Sequence, residues 1–391
     1  MRLAVACLVL TACGRLSFDP APADGERAQP SVREIGPLSF TTSSATFVDV
    51  PSASLVIPAS PGQAWLLFVS GQLASDSFLY NGPEARYLVD GIERGIGGTE
   101  NVTLGRLGPW QHFYGFTGAD QPITVTFQLR DAAGGATTLE ELRAVAVPLP
   151  ADADPLFVSN DGPITVTSTV IAPAAQLTLQ PSRAGEYLLF LLDNATEAPT
   201  ASDIDFEWHD PAGAMWSRNL KNPRGSLQST LLVRRAVLSG PTTVELQAAS
   251  GGGDSLLEYV RIAAVRIDAL GNRLAFAHNA NTLQTTGSAG IGTNMLAQTL
   301  DPASSYVLFG TAQIDDDCGN SLLAERVADF RVDGVLRDQD VHAAGNCAAE
   351  NTYGFVDAQV TPPALFESEF SSGNGQNVEH RESTIVILGV P

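Results

Sequence analysis

The strongest constraint on the fold is an internal repeat: three landmarks recur in the same order with a period of about 120 residues. The first is an apolar strand after a turn, in Gly62 to Phe68, Gly185 to Phe190 and Ser304 to Phe309. The second alternates apolar and polar residues, in Arg86 to Asp90, Asp205 to His209 and Asp329 to Asp333. The third is a pair of strands around a Gly-rich turn. Ile123 to Leu129 and Leu142 to Val147 flank Gly134-Gly135, Thr243 to Leu246 and Tyr259 to Ile267 flank Gly251-Gly252-Gly253, and Ala364 to Phe370 and Thr384 to Val390 flank Gly373 and Gly375. An acid precedes an arginine where each last strand begins, in Glu141/Arg143, Glu258/Arg261 and Glu379/Arg381. Whatever one copy folds into, the chain contains three times.

Period-2 alternation, Val/Thr/Leu-rich runs and Gly, Pro, Asp and Asn punctuation at short intervals describe sandwiches or barrels, and helical periodicity is nowhere sustained. Thr137 to Ala146 has helical propensity, but its counterparts in the other copies are strand-like, so it reads as strand. A copy of roughly 115 residues suits a jelly-roll or an Ig-like sandwich, and the long copies ending in an apolar strand favour the jelly roll. The expected class is all-β, with three tandem β-sandwich modules at 38–150, 155–270 and 272–391. The separators are short, which suggests modules in contact, arranged like a trimer made from one chain around a pseudo-threefold axis. Residues 14 to 37 carry Pro20, Pro22, Pro30 and Pro37 without periodicity and read as a flexible tether.

The chain starts Met1-Arg2, continues with an apolar run from Leu3 to Leu10, and reaches Leu10-Thr11-Ala12-Cys13. A basic start, a short apolar stretch and small residues make a secretory leader, here 1–12. The tetrad resembles the lipobox of bacterial lipoproteins. That resemblance implies cleavage before Cys13, acylation of Cys13, and a mature chain whose segment 13–37 is a lipidated tether. Gly14, where the family's inner-membrane retention rule wants Asp, implies the outer membrane. The apolar run is shorter than the roughly 20 residues that cross a bilayer. Attachment to the membrane would therefore be through acyl chains.

The sequence holds 22 Lys+Arg against 43 Asp+Glu, a net charge of −21. That argues against nucleic acid and anionic head groups as principal partners, since both call for basic patches. With Cys7 in the leader and Cys13 carrying lipid, Cys318 and Cys347 remain, and in an oxidising compartment the pair is expected to form a disulfide.

Three clusters carry candidate chemistry. Asp203, Asp205, Glu207 and His209 alternate with Ile204, Phe206 and Trp208. The three carboxylates and the imidazole share one strand face, as a cation site or a general acid–base pair or, more plainly, as the wet side of an amphipathic strand. The counterparts in the other copies change sign, which favours the plain reading. Asp315-Asp316-Asp317 before Cys318-Gly319-Asn320 is the best calcium candidate, although no complete calcium-loop pattern surrounds it. Trp110, His112 and Tyr114 share a face if 110 to 116 is extended. Such a row stacks on sugars when exposed and packs a core when buried. Gly95-Ile96-Gly97-Gly98 and Gly290-Ile291-Gly292 lack the third glycine and following helix of a dinucleotide loop and read as turns.

No Gly-x-Ser-x-Gly elbow, His-Glu-x-x-His or phosphate loop is present. The expected function is non-catalytic: binding or structure in the cell envelope, with a glycan or a protein as partner and the lipid as anchor. An envelope hydrolase with a site assembled across modules and a periplasmic assembly scaffold are the alternatives.

Overall fold

A strand that alternates apolar and polar residues buries one face and wets the other, so two such sheets close on each other. The computed structural model describes residues 32–76, 82–98, 108–197, 204–221, 228–298, 305–316, 324–344, 351–360 and 364–390. Apart from two single 3-10 turns, at Ala151–Ala153 and Gly271–Arg273, the regular structure among them is antiparallel β-sheet. None of the described residues forms a helix long and apolar enough to cross a membrane.

The first module contains β1 (Arg33–Thr42), β2 (Val48–Ile57), β3 (Ala64–Ser75), β4 (Pro83–Val89), β5 (Ile92–Gly98), β6 (Gly108–Thr117), β7 (Ile123–Asp131) and β8 (Thr137–Leu149). One sheet runs β1-β8-β3-β6 and the other β2-β7-β4-β5. Every connection except the β4–β5 hairpin crosses from one sheet to the other, which is the wrapping of a jelly roll.

The second module has β9 (Leu156–Asn160), β10 (Ile164–Val166), β11 (Ala172–Leu179), β12 (Gly185–Glu197), β13 (Ile204–His209), β14 (Met215–Lys221), β15 (Gln228–Leu238), β16 (Thr242–Ser250) and β17 (Ser255–Arg266). The third has β18 (Leu274–Asn279), β19 (Leu283–Thr285), β20 (Ile291–Gln298), β21 (Ser305–Asp316), β22 (Ala324–Val332), β23 (Val335–Ala344), β24 (Asn351–Val360), β25 (Ala364–Ser372) and β26 (Val378–Val390). Their sheets, β10-β17-β12-β15 with β11-β16-β13-β14, and β18-β26-β21-β24 with β20-β25-β22-β23, repeat the strand order of the first. In both, the first strand is broken in two: β9 and β10 share β17, and β18 and β19 share β26. The jelly roll, not the Ig-like alternative, is the fold of all three copies.

The N-terminal boundary differs from expectation. β1 opens at Arg33, inside the stretch assigned to the tether through residue 37. Ile35, Leu38 and Phe40 pack on the sandwich core, and Gly36-Pro37, which suggested a linker, sits at a register shift between Ile35 and Leu38. A Cβ on Gly36 would fall 2.2 Å from the carbonyl oxygen of Leu142, so glycine is needed for the strand to pass there.

The sheets that contain β3, β12 and β21 are covered on both faces. Trp65, Leu67 and Val69 of β3 point into their own sandwich, while Leu66 and Phe68 point to a core shared with Leu188 and Phe190 of β12 and Val307 and Phe309 of β21. Phe68, Phe190 and Phe309 hold the same place in the repeat. Their ring centroids lie 5.2, 4.8 and 5.5 Å apart, a triangle that marks a pseudo-threefold axis. The sixth strands β6, β15 and β24 lie against one another around it. Burying an aromatic or aliphatic side chain contributes roughly 1.5–3 kcal/mol, so this centre binds the modules strongly.

Candidate functional site

Away from the central phenylalanines the axis-facing positions turn polar, and charge has to be buried where modules meet. Two residues beyond each central Phe, Ser70, Leu192 and Thr311 stand opposite Arg143, Arg261 and Thr384 of the last strands. Each last strand has a register shift close by, where the acid and arginine of the repeat fall. Glu141 and Tyr259 take φ of 52° in it, a left-handed conformation that re-aims the neighbouring side chains.

The seam between the first two modules is the richest. Arg261 is 2% exposed. Its Nε donates to Asp161 at 2.7 Å, and its Nη1 donates to the Tyr87 hydroxyl at 3.0 Å and the Phe113 carbonyl at 3.2 Å. The guanidinium also lies over the rings of Tyr114 and Tyr259, at 5.0 and 4.8 Å. Asp161 occupies the break between β9 and β10 and also faces Arg94 at 3.9 Å. From the other side, the Tyr259 hydroxyl donates to Glu93 at 2.6 Å, and Glu93 pairs with Arg86 at 2.8 Å. Burial raises Glu258, and the Glu93 charge raises it further. Burial pushes Tyr87 up to about 12, so it stays a neutral phenol. Arg261 Nη2 and Asn194 Oδ1 are buried without a hydrogen-bond partner, one spare donor and one spare acceptor of the kind that ordered water satisfies.

The other seams use different chemistry. Between the third and first modules, Arg143 donates to the Arg337 carbonyl at 3.0 Å and Gln72 to that of Gln339 at 2.7 Å. Burial pushes the Asp338 carboxyl up to about 7, with Arg143 pulling it back and Glu141 raising it. Between the second and third modules, Arg234 pairs with Glu382.

An apolar pocket of about 20 Å³ lies on the axis, lined by side chains of all three modules, among them Leu66, Leu188, Val307 and Leu388. It has room for about one water and no polar group to hold it.

The row Trp110, His112, Tyr114 is not an exposed platform. Trp110 and His112 are 1% and 0% exposed and face the first module's own core, while Tyr114 is half-buried at the seam, with Arg94 5.1 Å above its ring. The cause is in β5: Gly95 and Gly97 are strand residues, not a turn, and their missing side chains make room. A Cβ at 95 would lie 2.3 Å from Tyr87, and one at 97 would lie 2.2 Å from Trp110. Gly292 likewise belongs to a strand, β20.

In β13, Ile204, Phe206 and Trp208 are fully buried and Asp205, Glu207 and His209 lie on the other face, with His209 bonded to Glu207 at 3.0 Å. Asp203 is outside the described residues. Asp315 and Asp316 end β21, paired with Glu379 and Val378. Asp317, Cys318, Cys347 and Cys13 lie outside the described residues, and with them the calcium turn, the disulfide and the lipid site. Among the described residues no three His, Cys, Asp or Glu side chains converge as a metal site.

No protein-family model and no curated protein matches the sequence. Solved structures do. The tandem CBM51 modules of a family 98 glycoside hydrolase from Streptococcus pneumoniae are 10% identical over 55% of this chain and 84% of theirs, with a TM-score of 0.18. The N-terminal CBM22 tandem domain of Xyn10C from Paenibacillus barcinonensis is 12% identical over 61% of this chain and 99% of its own, with a TM-score of 0.19. A triple jelly roll protein of an archaeal virus is 9% identical over 86% of this chain and 81% of its own, with a TM-score of 0.22. At superpositions this low, what those proteins do says nothing about this one.

The sequence marks Glu258/Arg261 and Glu141/Arg143 as repeated pairs but does not mark them as seam residues. The signal was their recurrence where each last strand begins. Glu93 and Asp161 carry no such mark, because what joins them to Tyr259 and Arg261 is the placement of one module on the next.

Proposed function

We propose that the protein is a lipid-anchored cell-envelope protein, attached to the outer membrane through Cys13, with a non-catalytic binding or structural role. One observation carries the binding or structural part of the reading: three jelly rolls are fused into one body whose enclosed arginines, Arg143, Arg234 and Arg261, hold modules together at the seams. Such a body displays its inter-strand loops in a fixed array, and loops on a rigid scaffold are where binding residues concentrate. Repeated display from a membrane favours multivalent contact with a repeating partner, a glycan or an array of protein. The test is protease digestion of intact and lysed cells, followed by capture of envelope and surface glycans by the full-length protein. Digestion on intact cells together with saturable capture supports a surface binder. Protection until lysis with no capture removes it and favours the periplasmic scaffold.

A second reading has its own observation. Burial raises the Glu258 carboxyl, and the charge of Glu93 across the first seam raises it further. A carboxyl pushed toward its neutral form beside a second carboxylate is the setting of a glycoside hydrolase's general acid. Release of reducing ends from an envelope polysaccharide by the wild type, lost in Glu258→Gln with binding retained, would establish it.

A further inference from the structure

The two ends of this body differ in their exposed apolar side chains. At one end β3, β12 and β21 begin. There the β4–β5 and β22–β23 hairpins turn at Asp90-Gly91 and Asp333-Gly334, and the β13–β14 hairpin turns at Asp210 to Ala214. Each hairpin presents an apolar residue to solvent just after its turn: Ile92 at 56% exposure, Met215 at 55% and Val335 at 59%, with Leu336 beside it. Val56 and Val237, one residue before the ends of β2 and β15, are exposed at the same end. Of the eight large apolar side chains exposed among the described residues, these are six; Val170 and Met295 lie elsewhere. Points related by a threefold axis lie in one plane perpendicular to it. Ile92, Met215 and Val335 therefore define a flat apolar tripod, with the apolar axial pocket on the same side of the phenylalanine triangle.

The described chain also begins at that end. Arg33 stands opposite Ala146, close to the end of β8, and Val32 packs against the central cluster. The residues between Cys13 and Val32, about 18, span at most roughly 60 Å, so an acylated Cys13 would keep this end within reach of the bilayer. Within that radius weak contacts act at high effective concentration.

We propose that the end carrying Ile92, Met215 and Val335 is a membrane-contacting face, resting its three hairpin tips in the interface of a bilayer with net-neutral head groups. The charge decides the lipid class. Each tip carries an aspartate next to its apolar residue: Asp90 and Asp333 accept the backbone N–H groups of Thr124 and Leu365, and Asp210 those of Ala212 and Ala214. Three fixed carboxylates, on a chain of net charge −21, are repelled by an anionic surface. The body then stands upright on the membrane, with its opposite turns, at 132–136, 251–254 and 373–377, pointing away.

The proposal uses the lipid-anchored reading for its local concentration, and the experiment separates the two. Mass spectrometry of the N-terminal peptide decides acylation. Hydrogen exchange is then measured on the full chain held on phosphatidylcholine vesicles in two ways: by its own lipid, and, as Cys13→Ser, by an N-terminal histidine tag on a nickel-chelating lipid. The tips at 88–93, 210–216 and 332–337 are expected to exchange several-fold more slowly on vesicles than in solution in both cases, and the opposite turns to be unchanged. Ile92→Ser with Met215→Ser and Val335→Ser, at exposed positions that leave the fold intact, should abolish the difference. Equal exchange at the two ends, or slowing only at the opposite turns, overturns the proposal even if Cys13 is acylated. Greater protection on adding phosphatidylglycerol overturns the choice of a neutral bilayer.

Discussion

At the scale of single residues the seams are electrostatic problems with three different solutions. Arg261 is fully enclosed and answered by Asp161, Tyr87 and Phe113. Deleting one member of a buried pair leaves the other uncompensated, so Arg261→Leu should cost about 3 kcal/mol, near the low end for such losses because Asp161 keeps some exposure. The urea midpoint reads this directly. Asp338 gives a pH effect with a definite sign. An ordinary aspartate titrates at 3.8, and burial lifts this one to about 7. Below 3.8 the group is protonated folded or unfolded and adds no slope. Between 3.8 and about 7 the folded state keeps a proton that the unfolded state has lost, so stability falls as pH rises, and above about 7 the loss is complete. Asp338→Asn should remove that slope. Its stability relative to wild type is expected to improve from pH 4 to 8 when urea midpoints are compared, and a constant difference would show that Asp338 titrates normally.

At the scale of elements, close approach of strands decides what each sequence position tolerates. Gly115 of β6 receives Phe157 of β9, from the neighbouring module, so closely that a Cβ would sit 2.0 Å from the ring. Gly115→Val should destabilise by about 1–3 kcal/mol through overpacking. Phe157→Ala should recover part of that loss, so that thermal melts of the double variant are non-additive. The same elements show what the sequence reveals. Alternation in β4, β7 and β13 exposed their half-buried character, because a sheet with one wet face must write its burial with period two. The continuous apolar run at Trp65-Leu66-Leu67-Phe68 carried a further message, a sheet covered on both faces, which the structure assigns to the shared centre. β5 was illegible: its glycines look like a turn until Trp110 and Tyr87 are seen to need their space. The aromatic row of β6 was ambiguous for a related reason, since a buried and an exposed face share one pattern. Arg261 could be noticed by its recurrence, but its role depends on a partner module, and contacts across about 100 residues leave no local spacing to read.

At the scale of the whole molecule the three jelly rolls share one core, so they should unfold as one. A single calorimetric transition is expected, with calorimetric and van't Hoff enthalpies in agreement. Phe190→Ala, at the triangle with Phe68 and Phe309, should cost about 3–5 kcal/mol and lower that transition as a unit. Three separate transitions, with only one displaced, would refute the shared core. The ring also runs head to tail. The β5 side of the first module meets the last strand of the second, Arg234 of the second meets that of the third, and β23 of the third returns to the first. Heterologous contacts of this sort close when the rotation is right, and separate subunits joined by them dissociate on dilution. Here covalent linkage removes the concentration term, so the ring stays shut at any dilution, even as one isolated molecule. Nor must its three seams remain copies of each other: a substitution at the Arg261 seam is felt once, where in a homotrimer it would be felt three times.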